Sequence, residues 1–153
     1  MNAGMKKITV ANYKQDKFYE KAVGAMAAVL QRQESVSPID VMLQMERLTP
    51  KQIEDWRFAR IAFLESVTIG GLGTVNRILR LIGFHAHDLN LIPSHTVYRK
   101  WGKGKNRIVL RFSKFGDPNL EAAWSRHYTC PKRRRELKQL KVSTDETSSK
   151  DSL

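Results

Sequence analysis

The chain has 153 residues, of which 41% are hydrophobic and 27% are charged, and these values are typical of soluble globular proteins. This composition excludes a chain that is disordered throughout, and the length favours one domain with a core over two domains. The unusual feature is the charge, because 27 Lys and Arg against 15 Asp and Glu give a formal net charge of +12. A polyanionic partner is therefore the first expectation.

Cysteine content and hydropathy bear on the compartment. Cys130 is the only cysteine, so no intramolecular disulfide can form, and a cytoplasmic location fits best. The most apolar run, Ala22 to Leu30, is far shorter than the roughly 20 residues that span a bilayer, and polar residues flank it. We therefore predict an amphipathic helix in this run and no membrane partner.

The positive charge is concentrated in one late segment. Residues 99–141 hold 14 basic and 3 acidic side chains, whereas residues 1–98 hold 12 basic and 9 acidic side chains. Residues 142–153 have a net charge of −2 and almost no apolar residues. A concentrated positive field attracts phosphates, so the segment 99–141 is expected to contain the binding surface.

The first two predicted helices follow from apolar periodicity and a start signal. Apolar residues recur at spacings of three and four within residues 16–33, which predicts a helix with one face in the core. Ser37 followed by Pro38 is typical of a helix start. The second helix is expected to end near Leu48.

Two further helices are predicted around a pair of glycines. Thr49 and Gln52 have the spacing of a capping box and predict a third helix that runs to about Val67. Gly70-Gly71 then provides a termination signal and a tight turn. The fourth helix follows and is expected to end at Gly83.

The pattern changes to a two-residue period after the fourth helix. Residues 95–101 and 107–114 alternate, and glycine-rich residues 102–106 separate them, which predicts a β-hairpin at 95–114. Asp117-Pro118 then predicts the start of a short helix that Pro131 ends.

These elements predict a mainly helical α+β fold with one β-hairpin. We expect an N-terminal extension at 1–14, a single helical domain at 15–130, and a C-terminal tail at 131–153 that is first basic and then disordered. The order of helix, glycine turn, helix and hairpin over residues 37–114 resembles a winged-helix DNA-binding domain, although the connection at 85–94 is long for that class. The resemblance implies that the fourth helix enters the major groove. It places these residues against DNA: Thr74, Asn76, Arg77, Arg80, Lys103 and Lys105.

The basic hairpin is the strongest candidate site, because it interleaves cations and aromatic side chains and contains no acidic residue. Lys and Arg side chains can follow a phosphate backbone, and aromatic rings can stack on unpaired bases. The alternative is an edge hairpin whose charges only prevent aggregation, with Trp101 and Phe112 in the core. We expect a second electrostatic contact from the C-terminal basic run. The candidate residues in these two segments are Tyr98, Arg99, Lys100, Trp101, Lys103, Lys105, Arg107, Arg111, Lys114, Lys132, Arg133, Arg134 and Arg135.

The histidines form a weaker candidate site. His85 and His87, and likewise His127 and Cys130, have spacings compatible with zinc, and Asp88 next to His87 could help to activate water. The sequence has no HExxH motif, no second cysteine, no acidic cluster and no phosphate-binding glycine motif. We therefore favour hydrogen-bonding roles for the histidines and predict no metal, no cofactor and no catalytic residue.

The stretch from Leu48 to His127 includes LTPKQIEDWRFAR, RILRLIGFHAHDLN, SHTVYRKWGKGK and LRFSKFGDPNLEAAWSRH, and it resembles a group of small basic bacterial proteins. The resemblance implies a bacterial origin and assigns no residue a role. The residues themselves predict duplex DNA binding, in regulation or nucleoid association. The alternatives are an RNA- or ribosome-associated protein, a metal-dependent nuclease that uses His85, His87 and Asp88, and a module that binds an acidic protein.

Overall fold

The computed structural model describes residues 7–151, and it describes side chains for residues 7–142. The described part is mainly helical with a small antiparallel sheet, so the predicted α+β class is confirmed, whereas a winged-helix arrangement is not. The helices are α1 (Tyr19–Arg32), α2 (Pro38–Gln44), α3 (Pro50–Arg57), α4 (Leu72–Asp88), α5 (Pro118–Ser125) and α6 (Pro131–Asp151). The strands are β1 (Ser35–Val36), β2 (Ile92–His95) and β3 (Arg126–Thr129).

The sheet is short and has β3 at its centre, in the order β1-β3-β2. Tyr128 of β3 faces Val36 of β1 on one side and Pro93 of β2 on the other. Pro93 is tolerated because β2 is an edge strand, where one side makes no ladder hydrogen bonds. Helix α1 packs against both α2 and α4, and the sheet lies beside this helical layer.

Stacked aromatic rings form the centre of the core. Trp56 and Trp124 have no exposed surface, and Phe112 lies between them, with ring centroids 4.9 Å from Trp56 and 5.3 Å from Trp124. Each indole nitrogen has a partner, because Trp56 donates to the Arg111 carbonyl at 2.8 Å and Trp124 donates to Glu65 Oε1 at 3.1 Å. A buried tryptophan needs such an acceptor, so these bonds fix both rings.

The predicted helix starts are present. Ser37 and Asp40 form a capping box at α2, and Thr49 and Gln52 form one at α3. Asp117 accepts hydrogen bonds from two backbone N–H groups at the start of α5. These side chains satisfy N–H groups that a helix leaves without internal partners, and the required residues lie within four positions of one another.

The helix ends differ from the predicted ones. Helix α3 ends at Arg57 rather than near Val67, and α4 continues through Gly83 to Asp88. At each end the first residue beyond the cap, Ala59 or Asn90, is left-handed, with φ of 60° and 56°. The backbone hydrogen bonds there have the Schellman pattern, which ends a helix without requiring glycine.

The segment after α3 is extended because it pairs with a distant part of the chain. Phe63 forms a bridge with Arg111, and the backbone N–H groups of Leu64 and Glu65 donate to the carbonyls of Arg111 and Phe112. Residues 64–66 then form a single 3₁₀ turn. The apolar spacing that predicts a helix through Val67 therefore arises because Leu64 and its neighbours are buried, and the segment is not a continuous helix.

The hairpin predicted at 95–114 is only partly formed. His95 ends β2, which pairs with β3, and within the hairpin the one bridge among described residues joins Arg99 to Val109. Two backbone bonds support it, from Lys100 N–H to the Ile108 carbonyl and from Leu110 N–H to the Tyr98 carbonyl. The predicted hairpin is therefore confined to a short stretch around this bridge, where Arg99 faces Val109.

The two ends of the chain also differ from the expected extension and tail. Ile8 and Tyr13, within the predicted extension, are buried against Ala22 and Leu81, while residues 1–6 lie outside the described part. At the other end, α6 continues to Asp151, and residues 152–153 lie outside the described part. Residues 132–142 are rich in helix formers and contain no Gly or Pro, which suits a helix. Among residues 7–151, no helix is both long and apolar enough to cross a bilayer.

Candidate nucleic-acid interface

Residues 97–114, called the basic loop below, connect β2 to the segment before α5. The residue before β3 fixes the start of the loop, because Thr96 N–H donates to the Ser125 carbonyl at 2.9 Å. At its tip, Gly102 and Gly104 have φ of 129° and 124°, a conformation that side chains with a Cβ rarely adopt. The tip of the loop is therefore formed by exposed residues with no side chain at these two positions.

Tyr98 attaches the first half of the loop to the core. Its ring packs against Trp56 at 5.5 Å and against Phe112 at 5.4 Å, and its hydroxyl lies 2.6 Å from Nε2 of His127. Burial raises the pKa of the Tyr98 hydroxyl to about 12, and the charge of Asp40 adds to this effect. Tyr98 is thus a structural residue, and the structure does not present it to a base.

Two carboxylates lie at the base of the loop, and both accept hydrogen bonds from N–H or O–H donors. Glu121 accepts from the backbone N–H of Phe112 at 2.9 Å and from the N–H and hydroxyl of Ser113, each at 2.9 Å. Glu65 accepts from Trp124. Burial raises the pKa of Glu65, the Trp124 bond opposes this rise, and the charge of Glu121 adds to it. Neither carboxylate forms an ion pair with a cation of the loop among the described residues.

The basic loop presents seven cations to solvent, and none of them forms an ion pair with a described residue. Six cations of the described chain outside the loop do form such pairs. The charge of the loop is therefore not neutralised internally. The seven residues are Arg99, Lys100, Lys103, Lys105, Arg107, Arg111 and Lys114.

Arg57, which the sequence does not single out, belongs to this site. Its guanidinium lies over the rings of Tyr98 at 5.3 Å and Trp101 at 4.9 Å, and its carbonyl accepts from the Trp101 N–H at 2.7 Å. Burial lowers the pKa of Arg57, the electrostatic influence of Tyr98 opposes this shift, and the charge of Arg107 lowers the pKa further. Its buried Nε has no hydrogen-bond partner among the described residues. No local signal marks Arg57, since its partners are more than 40 positions away.

Exposed aromatic rings accompany the cations. Trp101 is 40% exposed and packs edge-to-face with Phe58 at 5.6 Å. Phe115, directly after the loop, is 86% exposed, and the ammonium of Lys114 lies 5.4 Å from its ring centroid. Trp101 and Phe115 therefore have ring surface available to a partner, unlike Tyr98 and Phe112.

The predicted residues of α4 are not part of the same surface. Arg77 is mostly buried and pairs with Asp16, and Arg80 donates to the Ile8 carbonyl at 3.0 Å. Thr74 and Asn76 are half-buried. Arg77 and Arg80 therefore hold the N-terminal segment against α4.

The C-terminal basic run lies at the other end of the sheet. Arg133 donates to the carbonyls of Leu30 and Gln31 and pairs with Glu136, and Arg134 pairs with Glu34 at 3.4 Å, while Lys132 and Arg135 are exposed. Helix α6 follows the Thr129 end of β3. The basic loop follows the His95 end of β2, which is opposite Arg126 at the start of β3. The two basic groups therefore leave opposite ends of the β2–β3 pair.

The structure does not bring the candidate metal ligands together. His85 and His87 are two apart on a helix, so they face different directions; His85 is buried against Tyr19, and His87 is exposed. His127 bonds to Tyr98, and Sγ of Cys130 accepts from the Arg133 N–H at 3.5 Å.

Burial lowers the pKa of both His85 and His127, and Asp88 and Asp40, respectively, oppose these shifts. Among the described residues, no three His, Cys, Asp or Glu side chains are placed to hold one ion. The basic loop is therefore the site with the clearest geometry.

Comparison of the chain with protein-family models, curated proteins and solved structures found no match.

Proposed function

We propose that this protein binds nucleic acid in the cytoplasm through the basic loop, with duplex DNA as the preferred partner and a regulatory or nucleoid-associated role. The observation that supports this proposal is the set of seven exposed loop cations without internal carboxylate partners. Charges held close together and left unpaired repel one another. A phosphate backbone relieves that repulsion and releases its own counterions, which is the main source of electrostatic affinity.

The shape of the loop suits a phosphate backbone. Gly102 and Gly104 have no other atom within 4 Å of the position that a Cβ would occupy, so the tip is open. The backbone there can approach a sugar-phosphate chain closely, and Lys103 and Lys105 extend from the same tip. Arg57 and Arg107 add two neighbouring guanidiniums at the base, and guanidiniums bind phosphate oxygens in pairs of hydrogen bonds.

A salt titration tests this proposal. Affinity for duplex DNA, measured by fluorescence anisotropy at several salt concentrations, should fall steeply as log[salt] rises. The triple variant Lys103→Gln, Lys105→Gln and Arg107→Gln should lower the magnitude of that slope by about two to three, because it removes up to three phosphate contacts.

A matched control variant separates the effect of where the cations lie from the effect of the total charge. Lys7, Lys17 and Lys21 are also exposed, and their replacement by Gln lowers the net charge from +12 to +9, as the loop variant does. This control should keep the slope of the unmodified protein. Equal slopes in both triple variants would show that net charge alone attracts DNA, and an unchanged slope in the loop variant would remove the loop from the interface.

Single-stranded RNA or DNA is the second candidate, and the exposed rings of Trp101 and Phe115 favour it. Base stacking on an aromatic side chain contributes about 1–3 kcal/mol per base. Replacement of Trp101 and Phe115 by Ala should then weaken single-strand binding about tenfold or more and leave duplex binding nearly unchanged. Competition among duplex DNA, single strands and folded RNA ranks the two candidates directly.

A further inference from the structure

A cavity of about 460 Å³ lies away from the basic loop. The C-terminal half of α4, the N-terminal segment around Tyr13 and the paired strands β2 and β3 enclose it. Its walls are mainly apolar and include the rings of Tyr13, Phe84 and Tyr128. This volume is within the range of small-molecule sites, which are mostly apolar with a few polar groups.

The aromatic wall is preorganised. Tyr13 is 4% exposed and stacks on Phe84, with ring centroids 5.5 Å apart and planes 28° apart. Tyr19 packs against the edge of Tyr13 at 5.8 Å. These contacts hold a flat surface in place before any ligand arrives, which suits a planar apolar molecule.

The polar groups of the cavity favour an anion. Arg80 and Arg126 both line it, and Asp88 is the carboxylate in its lining. Asp88 already has a cation 3.9 Å away, the ammonium of Lys14. The Arg126 guanidinium makes no hydrogen bond or ion pair with a described residue. Its charge is therefore available to a ligand in the cavity.

A buried hydroxyl also belongs to the wall of the cavity. Tyr13 lines the cavity, and its hydroxyl is buried. Burial raises its pKa, and the nearby charge of Asp88 raises it further, so the hydroxyl keeps its proton and remains a donor close to the Asp88 carboxylate.

We propose that this cavity binds a small planar apolar molecule that carries one anionic group. The ring system of the ligand packs beside Phe84 and Tyr128, and its anionic group pairs with Arg126, with Arg80 close by. The proposal does not rest on nucleic-acid binding, because none of these residues belongs to the basic loop.

Two fluorescent probes of nearly the same shape test the proposal. Anilinonaphthalene sulfonate joins a planar naphthalene ring to one anionic group, and phenylnaphthylamine has the same ring system without the charge. The folded protein should bind one molecule of the sulfonate with saturable fluorescence. Arg126→Gln should weaken sulfonate binding about tenfold and change phenylnaphthylamine binding less than about twofold, because only the first probe has a charge to pair.

A variant that fills the cavity provides an independent measurement. A Cβ at Gly83 would lie 3.6 Å from the Tyr128 hydroxyl, an ordinary contact, so Gly83→Ala should fold and keep binding. Gly83→Leu extends a branched side chain into the same space and should abolish binding of both probes. Thermal unfolding of each variant establishes that it is folded.

The loop variant Lys103→Gln, Lys105→Gln and Arg107→Gln controls for attachment of the sulfonate to the basic loop, and it should bind both probes as the unmodified protein does. Equal sulfonate affinity in Arg126→Gln and the unmodified protein would overturn the proposal. So would full binding in folded Gly83→Leu, or loss of binding in the loop variant.

Discussion

At the scale of single residues, three non-glycine positions within residues 7–151 adopt the left-handed conformation: Glu46, Ala59 and Asn90, with φ of 60°, 60° and 56°. A Cβ in this region costs roughly 1 kcal/mol, although Asn tolerates it better than most residues. Ala59 is exposed, so its methyl group gains no burial in return. The Schellman bonds at the end of α3 hold it there, since Arg60 N–H reaches the Asp55 carbonyl at 2.8 Å.

Ala59→Gly should therefore stabilise the protein by about 0.5–1 kcal/mol, because glycine removes the left-handed strain and this gain exceeds its extra entropy in the unfolded chain. Urea unfolding at 25 °C measures the change. Ala62→Gly is the matched control in the same connection, without a left-handed φ, and it should be neutral or destabilising. Equal effects of the two substitutions would contradict the assignment of strain to Ala59.

Two histidines predict a pH dependence of stability. Burial lowers the pKa of His85 and His127 below the ordinary value of 6.5. The unfolded chain then binds more protons than the folded one as the pH falls below about 7, so the free energy of unfolding should decrease from there toward acid pH. Above the unfolded-state pKa both groups are neutral in either state, and this contribution is fully present.

Urea unfolding between pH 5 and pH 8 checks this expectation. His127→Gln keeps a polar partner for Tyr98 and should reduce the pH slope over that interval. His95→Gln removes an exposed histidine from β2 and serves as the control, which should keep the slope of the unmodified protein. A slope that His127→Gln leaves unchanged would show that His127 does not cause it.

Residue roles were predictable only where the partner is close in the sequence. The sequence predicts Arg77 as a DNA contact and does not select Arg57, because the decisive partners, Asp16 and Trp101, are 61 and 44 positions away. Both residues are arginines on helices, and no local pattern distinguishes them. Tyr98 was likewise predicted as a stacking residue, and only the packed core reveals its contacts with Trp56 and His127.

At the scale of elements, the sequence predicts where helices start better than where they end. The starts of α2, α3 and α5 were predictable because one side chain caps the backbone two or three residues later. The ends of α3 and α4 were not, because Ala59 and Asn90 replace the glycines that usually mark them. Alternation on both sides of a glycine-rich turn predicts the hairpin at 95–114, but β2 takes its partner from residues 126–129. Alternation shows that a segment is extended and does not identify its partner.

The attachment of the basic loop to α5 depends on one carboxylate. Glu121→Ala leaves three donors of Phe112 and Ser113 without their acceptor and should destabilise the protein by roughly 2–3 kcal/mol. Glu121→Gln retains one acceptor oxygen and should lose less. Urea unfolding gives the free energies, and hydrogen exchange should become faster at the two amides. Slow exchange at both amides in Glu121→Ala would show that another group holds this end of the loop.

At the scale of the whole molecule, the cations behind the net charge of +12 lie in different surroundings. Some are paired on the body, as in Arg60 with Asp55, and others on the body are exposed, such as Lys17 and Lys21. Two further groups are the cations of the basic loop and those of α6, where Lys132 and Arg135 are exposed. Because the loop and α6 leave opposite ends of the β2–β3 pair, we expect a polyanion to need more length to contact both groups than to contact one. The sequence predicted the concentration of charge, and the structure divides it into two groups.

The length of the DNA should therefore separate the two groups. On a duplex of about 8 base pairs, roughly 27 Å long at 3.4 Å per pair, the loop variant Lys103→Gln, Lys105→Gln and Arg107→Gln should weaken binding, and Lys132→Gln with Arg135→Gln should have little effect. On a duplex of about 20 base pairs both variants should lower the salt slope, the second by about one to two, because the longer rod offers phosphates to both basic groups at once. Anisotropy titrations with the two duplexes measure both slopes. An equal loss from the α6 variant on short and long DNA would mean that the two groups bind as one surface and would contradict this prediction.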